Sequence, residues 1–356
     1  MYYSVLYITL LSCFFVLLDR RSYNIFLICA ISLFISFVSG LRAFSDADYL
    51  NYFNMYHLVP TLLNINLMDY RNLYGEPGYI TFESFLKTIG APFYILTICA
   101  SFFSIFTKSY VIVKLSKNVF FIILPIYLCF HFITIEVIQI RWAIATSIII
   151  FSYYLFLSGK VKRSFLLFFI SFLFHYFSVV FILPLFFIKK KMFKIINVLL
   201  IFSVLFSLFS FFDIKSLILS TNINSFGVIG AKLSYYVSEN GSHIGAILLI
   251  KTYALLIISY FIFIKNKTNL GYLVIALNIV LNMMTFLPLL FFRTMVVVDF
   301  FSLVLVINYI NANYFWRFKF PILLVLLLCS SLWAINDVWN YKASGSISDY
   351  ISIINY

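Results

Sequence analysis

The sequence predicts an all-α polytopic integral membrane protein with about ten transmembrane helices, and two properties of the chain support this. Its 356 residues are 64% hydrophobic and only 10% charged, with a mean hydropathy of +1.06, and a soluble domain does not bury that much apolar surface. Apolar runs of about 17–25 residues recur, which is the length that crosses a bilayer as a helix. Because barrel strands alternate apolar and polar residues, these unbroken runs exclude a β-barrel.

Composition also narrows the class of function. The net charge of +13 does not indicate nucleic-acid binding, because the basic residues form small groups between apolar runs, as membrane orientation requires. No internal repeat is found, so an inverted-repeat transporter is not favoured. The cysteines lie inside apolar runs without a CxxC pair, which predicts neither a metal site nor a disulfide framework: Cys13, Cys29, Cys99, Cys129 and Cys329.

Eleven apolar segments are candidate helices within the membrane. The first lacks a basic start and a small-residue cleavage site, so it is predicted to be a retained span and not a signal peptide. The segments are 2–18, 23–41, 92–113, 118–134, 140–158, 164–188, 192–212, 244–264, 270–290, 294–312 and 319–336.

The basic residues between these segments predict the orientation of one continuous transmembrane domain, 1–356. Positive loops face the cytoplasm, and the residues assigned there are Arg20, Arg21, Lys114, Lys117, Lys160, Lys162, Arg163, Lys265, Lys267, Arg317 and Lys319. The opposite side of the membrane, the far side, then receives the two larger loops, 42–91 and 213–243, together with 135–139 and 337–356.

Segment 164–188 conflicts with a simple count of spans, because basic clusters lie on both sides of it. Two complete crossings need about 60 Å, whereas 25 helical residues reach only about 37 Å. We therefore predict a re-entrant or broken helix pair that bends near His175 and Tyr176, since a broken helix at membrane depth is tolerated where it lines a cavity. The alternative is one long tilted span that violates the positive-inside rule.

The first of the two far-side loops, 42–91, carries several candidate site residues. Arg42 ends the second span, and Asp46, Asp48 and Tyr49 follow it. Asp46 and Asp48 form a DxD pattern, which can hold a divalent metal, but three residues match easily by chance, and a helix cap in a solvated loop is the alternative. Farther along, residues 78–89 are predicted to form a short interfacial helix.

A tight turn, Glu76-Pro77-Gly78-Tyr79, precedes that helix. Proline fixes its own backbone and glycine relaxes the turn. Glu76 has two open interpretations: a negative charge at the helix N-terminus, or a carboxylate that holds a sugar hydroxyl or an arginine.

Two arginines lie at the predicted far-side ends of later spans, Arg141 and Arg293. An interfacial arginine can simply extend its side chain to water. The functional alternative is a diphosphate clamp, because the planar guanidinium matches phosphate oxygens and stays charged in a half-apolar site. Trp142 fits either the aromatic belt or a stacking platform for a sugar.

His175 is the strongest single candidate, because it lies in the middle of an apolar segment at the suspected helix break. An isolated histidine on an apolar face is usually a hydrogen-bonded core residue. Histidine also titrates near neutral pH and can accept a proton from a hydroxyl group. Ionisable groups at membrane depth are costly and mark functional sites.

In order along the chain, these residues resemble the EpsG-like branch of bacterial oligosaccharide repeat-unit polymerases, the Wzy class. The resemblance covers about residues 40–300, and two positions depart from the family pattern: Trp142 replaces a glutamine, and Ser178 follows the histidine by three residues and not by two. The matching residues are Arg42, Asp48, Tyr49, Tyr52, Glu76, Pro77, Gly78, Ile140, Arg141, Ala143, His175, Ser178 and Arg293.

The resemblance implies polymerisation of lipid-linked repeat units at the periplasmic face of the bacterial inner membrane. The growing glycan would move from undecaprenyl diphosphate to a new lipid-linked unit, without a metal, nucleotide or other cofactor, and a partner protein would set chain length. The implied catalytic residues are His175, Arg141, Asp48 and Glu76, with His175 as base or acceptor-orienting group. The implied residues for diphosphate and glycan binding are Arg42, Arg141, Arg293, Tyr49 and Tyr79.

Three other functions remain open on the sequence. An O-antigen ligase-like glycosyltransferase would share the arginines and use a different acceptor. A lipid-linked oligosaccharide flippase would need polar residues along a central path, whereas here the ionisable residues gather at one face. An acyltransferase acting on surface sugars would also use a membrane histidine.

Overall fold

A computed structural model describes the chain over residues 25–43, 46, 48–73, 75–116, 119–190, 192–209, 244–313, 316–343 and 351–352. Helices dominate these residues, which confirms the predicted all-α fold. The predicted first span and the predicted loop 213–243 lie outside the described residues.

The elements are, in chain order, α1 (Ile25–Gly40), β1 (Arg42–Ala43), α2 (Tyr49–Leu58), α3 (Asp69–Asn72), α4 (Pro77–Thr88), α5 (Phe93–Leu115), α6 (Phe120–His131), a π-helical segment (Phe132–Ile138), α7 (Ile140–Leu157), α8 (Val161–Phe174), a 3₁₀ segment (Tyr176–Ile182), α9 (Leu183–Lys190), α10 (Phe193–Phe209), α11 (Ala246–Asn266), α12 (Asn269–Met283), α13 (Pro288–Asn313), α14 (Trp316–Ala343) and β2 (Ile351–Ser352).

Six of the described helical stretches are long and apolar enough to cross a membrane, which confirms a multi-pass membrane protein. They are Phe93–Leu115, Phe120–Ile138, Ile140–Leu157, Ile247–Asn266, Pro288–Asn313 and Pro321–Lys342. The shorter apolar helices are Ile25–Gly40, Tyr176–Ile188, Phe193–Leu208 and Asn269–Met283.

The chain divides into two compact units. The first contains the residues up to Val179 and those from Ile307 onward, and its centre is α5, which packs against α1 and α7. Helix α8 covers α7, and α14 packs on α6.

The second unit, Val180–Val306, is built around α12. Helices α9, α10 and α11 pack on it. An ion pair of 2.7 Å joins Lys251 of α11 to Asp299 of α13, and the Asn282 amide donates to Ser203 Oγ over 3.2 Å.

The segment between α6 and α7 departs from the prediction. Residues 135–139 were expected to form a periplasmic loop, whereas π-helical turns continue to Ile138 and only Gln139 separates them from α7. The reason is burial, because Ile135, Glu136 and Val137 are packed inside the first unit. Glu136 is neutralised there by Lys108 of α5, at 2.5 Å.

The predicted break in segment 164–188 is confirmed at His175. Helix α8 ends at Phe174, His175 is extended with φ −160° and ψ 116°, and 3₁₀ turns begin at Tyr176. Hydroxyl groups replace part of the lost helical bonding, because Ser178 Oγ lies 3.3 Å from the Ser171 carbonyl oxygen and 2.8 Å from Ser171 Oγ. Whether the pair re-enters the same face stays a prediction.

The first predicted loop, 42–91, is largely structured. The expected short helix over 78–89 is confirmed as α4, and α2 and α3 precede it, whereas its position at the membrane interface stays a prediction. A two-residue antiparallel ladder, which the sequence did not predict, pairs Arg42 with Ser352 and Ala43 with Ile351.

Candidate functional site

Arg141 forms an ion pair with Glu76 and thereby joins the first loop to a membrane helix. Arg141 is the second residue of α7, and Glu76 immediately precedes α4. Arg141 Nη1 donates to Glu76 Oε2 over 2.8 Å. The side chains are 17% and 11% exposed, so the pair is mostly buried and still reachable.

Two tyrosines enclose the guanidinium. The Cζ atom of Arg141 lies 5.6 Å from the ring centroid of Tyr52 in α2 and 5.9 Å from that of Tyr79 in α4. At these distances the ring faces attract a cation, and the attraction strengthens where water is excluded. The two tyrosines therefore stabilise the positive charge of Arg141 in partly apolar surroundings.

Each residue of the turn Glu76-Pro77-Gly78 has its own structural role. Glu76 holds Arg141, and Pro77 takes the first helical position, where its missing N–H costs nothing. Gly78 touches the end of α8: a Cβ atom built there would lie 2.8 Å from the Leu173 carbonyl oxygen. This close approach brings Glu76 beside the helix break at His175.

His175 lies against the residue next to Arg141. Its ring contacts the Trp142 ring edge to face, with centroids 4.8 Å apart. His175 Nδ1 accepts a hydrogen bond from the Phe177 amide over 3.3 Å. In the neutral imidazole the proton then belongs on Nε2, which makes the other edge of the ring a donor.

Glu83 is a site residue that the sequence analysis missed. It lies in α4, seven residues after Glu76, and it is fully buried. Neither carboxyl oxygen has a hydrogen-bond partner among the described residues. Burial raises the pKa of Glu83 to about 8, against the opposing effects of the Arg141 charge, the Tyr79 hydroxyl and Lys87. Burial likewise raises the pKa of Tyr79 well above its usual value.

The aspartates near Arg42 form a separate group. Arg42 is fully buried, pairs with Asp46 over 2.6 Å through Nε and donates to the Ser39 carbonyl. Asp46 Oδ1 also accepts from the Asp48 amide, so the local chain already uses both oxygens of the first DxD carboxylate. Asp48 precedes α2 and is half-buried. Buried Tyr49 faces Arg42 with its ring, 5.9 Å away.

Arg293 lies on α13 in the second compact unit, and its half-buried side chain forms no ion pair with a described residue. Asp299, six residues later on the same helix, pairs with Lys251 of α11.

The structure thus gathers Arg141, Glu76, Tyr79 and His175, all predicted from sequence, and adds Tyr52 and Glu83. Tyr52 was part of the matching residue order, and the seven-residue spacing between Glu76 and Glu83 on a predicted helix was a usable signal. Lys108, the partner of Glu136, had no signal beyond its charge inside an apolar run. The described residues contain no cluster of His, Cys, Asp and Glu suited to a metal ion.

The sequence model of the EpsG family matches residues 25–356, nearly the whole chain. This chain belongs to the EpsG family. The match confirms the resemblance and supports a polysaccharide repeat-unit polymerase-like role in a multi-pass membrane protein. No curated protein and no solved structure matches the chain significantly.

Proposed function

We propose that this EpsG-family protein is a membrane glycosyltransferase that polymerises lipid-linked oligosaccharide repeat units. The observation that carries the proposal is the accessible Arg141 guanidinium at the start of a membrane helix, held by Glu76 and two tyrosines beside the break at His175. The donor is a glycan on undecaprenyl diphosphate, the acceptor is a lipid-linked repeat unit, and the reaction takes place at the periplasmic face of the inner membrane.

The reaction replaces a glycosyl diphosphate bond with a glycosidic bond. The acceptor hydroxyl oxygen bonds to the anomeric carbon of the donor glycan, and the bond from that carbon to the diphosphate oxygen breaks. The diphosphate keeps the electron pair, and a base takes the hydroxyl proton. Arg141 stabilises the charge that develops on the diphosphate, which is the step where a fixed cation helps most. The leaving diphosphate already activates the sugar, so the proposal needs no cofactor.

Among the proposed bases, Glu76 fits best. Its Oε2 atom is bound by Arg141, and no described residue donates to Oε1, which leaves that oxygen for the acceptor hydroxyl. His175 presents a donor when neutral, which suits an acceptor-orienting group better than a base. Asp48, at the start of α2, remains a proposed sugar-positioning residue.

The other proposed binding residues have different support. Tyr79 lies against Arg141 and belongs to the same site. Arg42 and Tyr49 are buried in the Asp46 group, so we propose that they shape the loop next to the diphosphate. Arg293 is proposed as a second diphosphate ligand, and a separate protein that regulates chain length is proposed as a partner.

Complementation tests the proposal. A host lacking this gene receives the wild-type chain, Arg141→Ala or His175→Ala, and surface glycan is resolved by length. Both variants should show surface glycan that is capped with a single repeat unit. The control is Arg163→Ala, which removes an exposed arginine side chain at the start of α8 and should keep long glycan chains. Normal long chains in both site variants would contradict the site. A complete loss of capped glycan would indicate a flippase or a ligase instead.

A further inference from the structure

Glu83 has no assigned part in the transfer, yet it is the most unusual carboxyl group near Arg141. It is fully buried, and neither oxygen is hydrogen bonded by a described residue. A buried polar group without a partner is rare in native proteins and calls for an explanation. Packing alone does not explain it, because an apolar side chain would fill the same volume without the cost of desolvation.

Two of the neighbouring donors on α4, Ser84 and Lys87, are committed elsewhere, and the Tyr79 hydroxyl forms no hydrogen bond with a described residue. The Lys87 ammonium donates to the carbonyl oxygens of Tyr56, His57 and Val59 at the end of α2. The Ser84 hydroxyl donates to the Pro60 carbonyl oxygen. Glu83 therefore relies mainly on the Arg141 charge, with smaller effects from the Tyr79 hydroxyl and Lys87, and Arg141 already forms an ion pair with Glu76.

One guanidinium thus serves two carboxyl groups. If both were ionised, the site would carry a net negative charge and would repel a phosphate ligand. If Glu83 holds its proton, Arg141 and Glu76 balance each other, and an incoming diphosphate meets one fewer negative charge. A charge in an apolar site acts strongly on its neighbours because little water screens it.

We propose that Glu83 serves the Arg141 site as a neutral, proton-carrying carboxyl group that allows a diphosphate to bind and whose ionisation weakens that binding. The proposal rests on the proposed function and adds a binding determinant to it. It also explains why no described cation forms an ion pair with Glu83: such a pair would keep the carboxyl group ionised.

These charges determine the direction in which affinity for the diphosphate changes with pH. Glu83 is protonated below about pH 8 and ionises above it, so affinity for the diphosphate falls as pH rises. Because one proton is linked to binding, the loss is at most about tenfold per pH unit.

Several other titratable or charged groups surround Glu83. They are Tyr52, Tyr56 and His57 of α2, Arg141 of α7, Tyr176 beyond the end of α8, and Glu76, Tyr79 and Lys87 of its own helix region.

The test measures binding of a short-chain polyprenyl diphosphate to the purified full-length chain between about pH 7.5 and 9.5, above the range where phosphate groups titrate near pH ~6. Wild-type affinity should fall by up to about tenfold over the last pH unit. Glu83→Gln keeps the shape and cannot ionise, so its affinity should stay constant. Asp69→Asn is the matched control, because it makes the same change from carboxyl to amide in α3, and it should keep the wild-type pH dependence.

Two results would overturn the proposal: a wild-type affinity that does not change with pH, or the same alkaline loss in Glu83→Gln. The first readout needs no variant, so it holds even if the substitution impairs folding. Arg141→Gln separates this proposal from the proposed function. If that variant binds the diphosphate as tightly as the wild type, the diphosphate site itself is wrong, whatever the pH profile shows.

Discussion

At the scale of single residues, the site depends on one guanidinium that three other side chains hold in place. Arg141 has Glu76 along one edge and the rings of Tyr52 and Tyr79 nearby. A planar, permanently charged group suits this setting, whereas an ammonium group concentrates its charge and is more strongly hydrated.

Arg141→Lys should therefore lower kcat/KM for repeat-unit polymerisation although it keeps the charge. A hydrogen bond to a charged group contributes about 1.5–3 kcal/mol, which corresponds to a loss of roughly 10- to 100-fold. An in vitro polymerisation assay with lipid-linked repeats measures this. An unchanged kcat/KM would show that only charge matters at this position.

Glu83→Gln should also change stability in a pH-dependent way. The pKa of Glu83 is raised from 4.5 to about 8 in the folded protein, so the folded state keeps a proton that the unfolded state releases. Stability is therefore lost as pH rises from about 4.5 to about 8, and it levels off above that range. Glutamine avoids this loss, so the variant should gain Tm relative to the wild type, and the gain should grow between pH 5 and 8. Equal Tm differences at both pH values would contradict the assigned burial.

At the scale of secondary-structure elements, three termini meet at the site: the starts of α4 and α7 and the end of α8. Gly78 allows the first of these contacts, because its Cα hydrogen faces the backbone carbonyl of Leu173. The break at His175 then directs its ring toward Trp142. Each terminus contributes one polar side chain, which explains why the candidates are far apart in sequence.

Gly78→Ala should separate α4 from α8. The added methyl group would lie 2.8 Å from a backbone oxygen, so a helix must move. Overpacking of this kind costs about 1–3 kcal/mol, and the displaced Glu76 should lower activity at least tenfold. Gly245→Ala is the matched control, because nothing lies within 4 Å of its added Cβ atom. Tm and glycan length measure both effects, and wild-type behaviour of Gly78→Ala would exclude the close contact.

The buried pair of Lys108 and Glu136 secures α5 against the π-helical segment that leads to α7. Ser104 Oγ contacts both charged side chains and the Ala143 carbonyl oxygen. Lys108→Met leaves a buried carboxylate without its cation, which costs about 3–5 kcal/mol. Lys108→Met with Glu136→Met should be more stable than Lys108→Met alone. A Tm for the double variant below that of the single variant would argue against this pairing.

At the scale of the whole molecule, the features that the sequence predicted correctly are those that depend on charge and on the length of apolar runs: the all-α membrane fold and the helix break at His175. The conflict between basic clusters located the helix break to the correct residue, because the orientation rule and the bilayer thickness both act on the sequence directly. The π-helical turns could not be predicted. Glu136 in an apolar run indicates a loop exposed to water, and only the structure shows that Lys108 neutralises its charge inside the protein. The pairing of Glu76 with Arg141 was one of two open interpretations, and only tertiary structure could choose between them.

Under the proposed function, the Glu76–Arg141 pair has a consequence for selectivity among lipids. An arginine without a carboxylate partner would bind the headgroups of other phospholipids, which vastly outnumber any lipid-linked glycan. With a carboxylate already seated on the guanidinium, a headgroup of single charge gains little by displacing it. A ligand with two adjacent phosphates gains more. The ion pair should therefore favour binding of the lipid diphosphate over binding of the more abundant phospholipids.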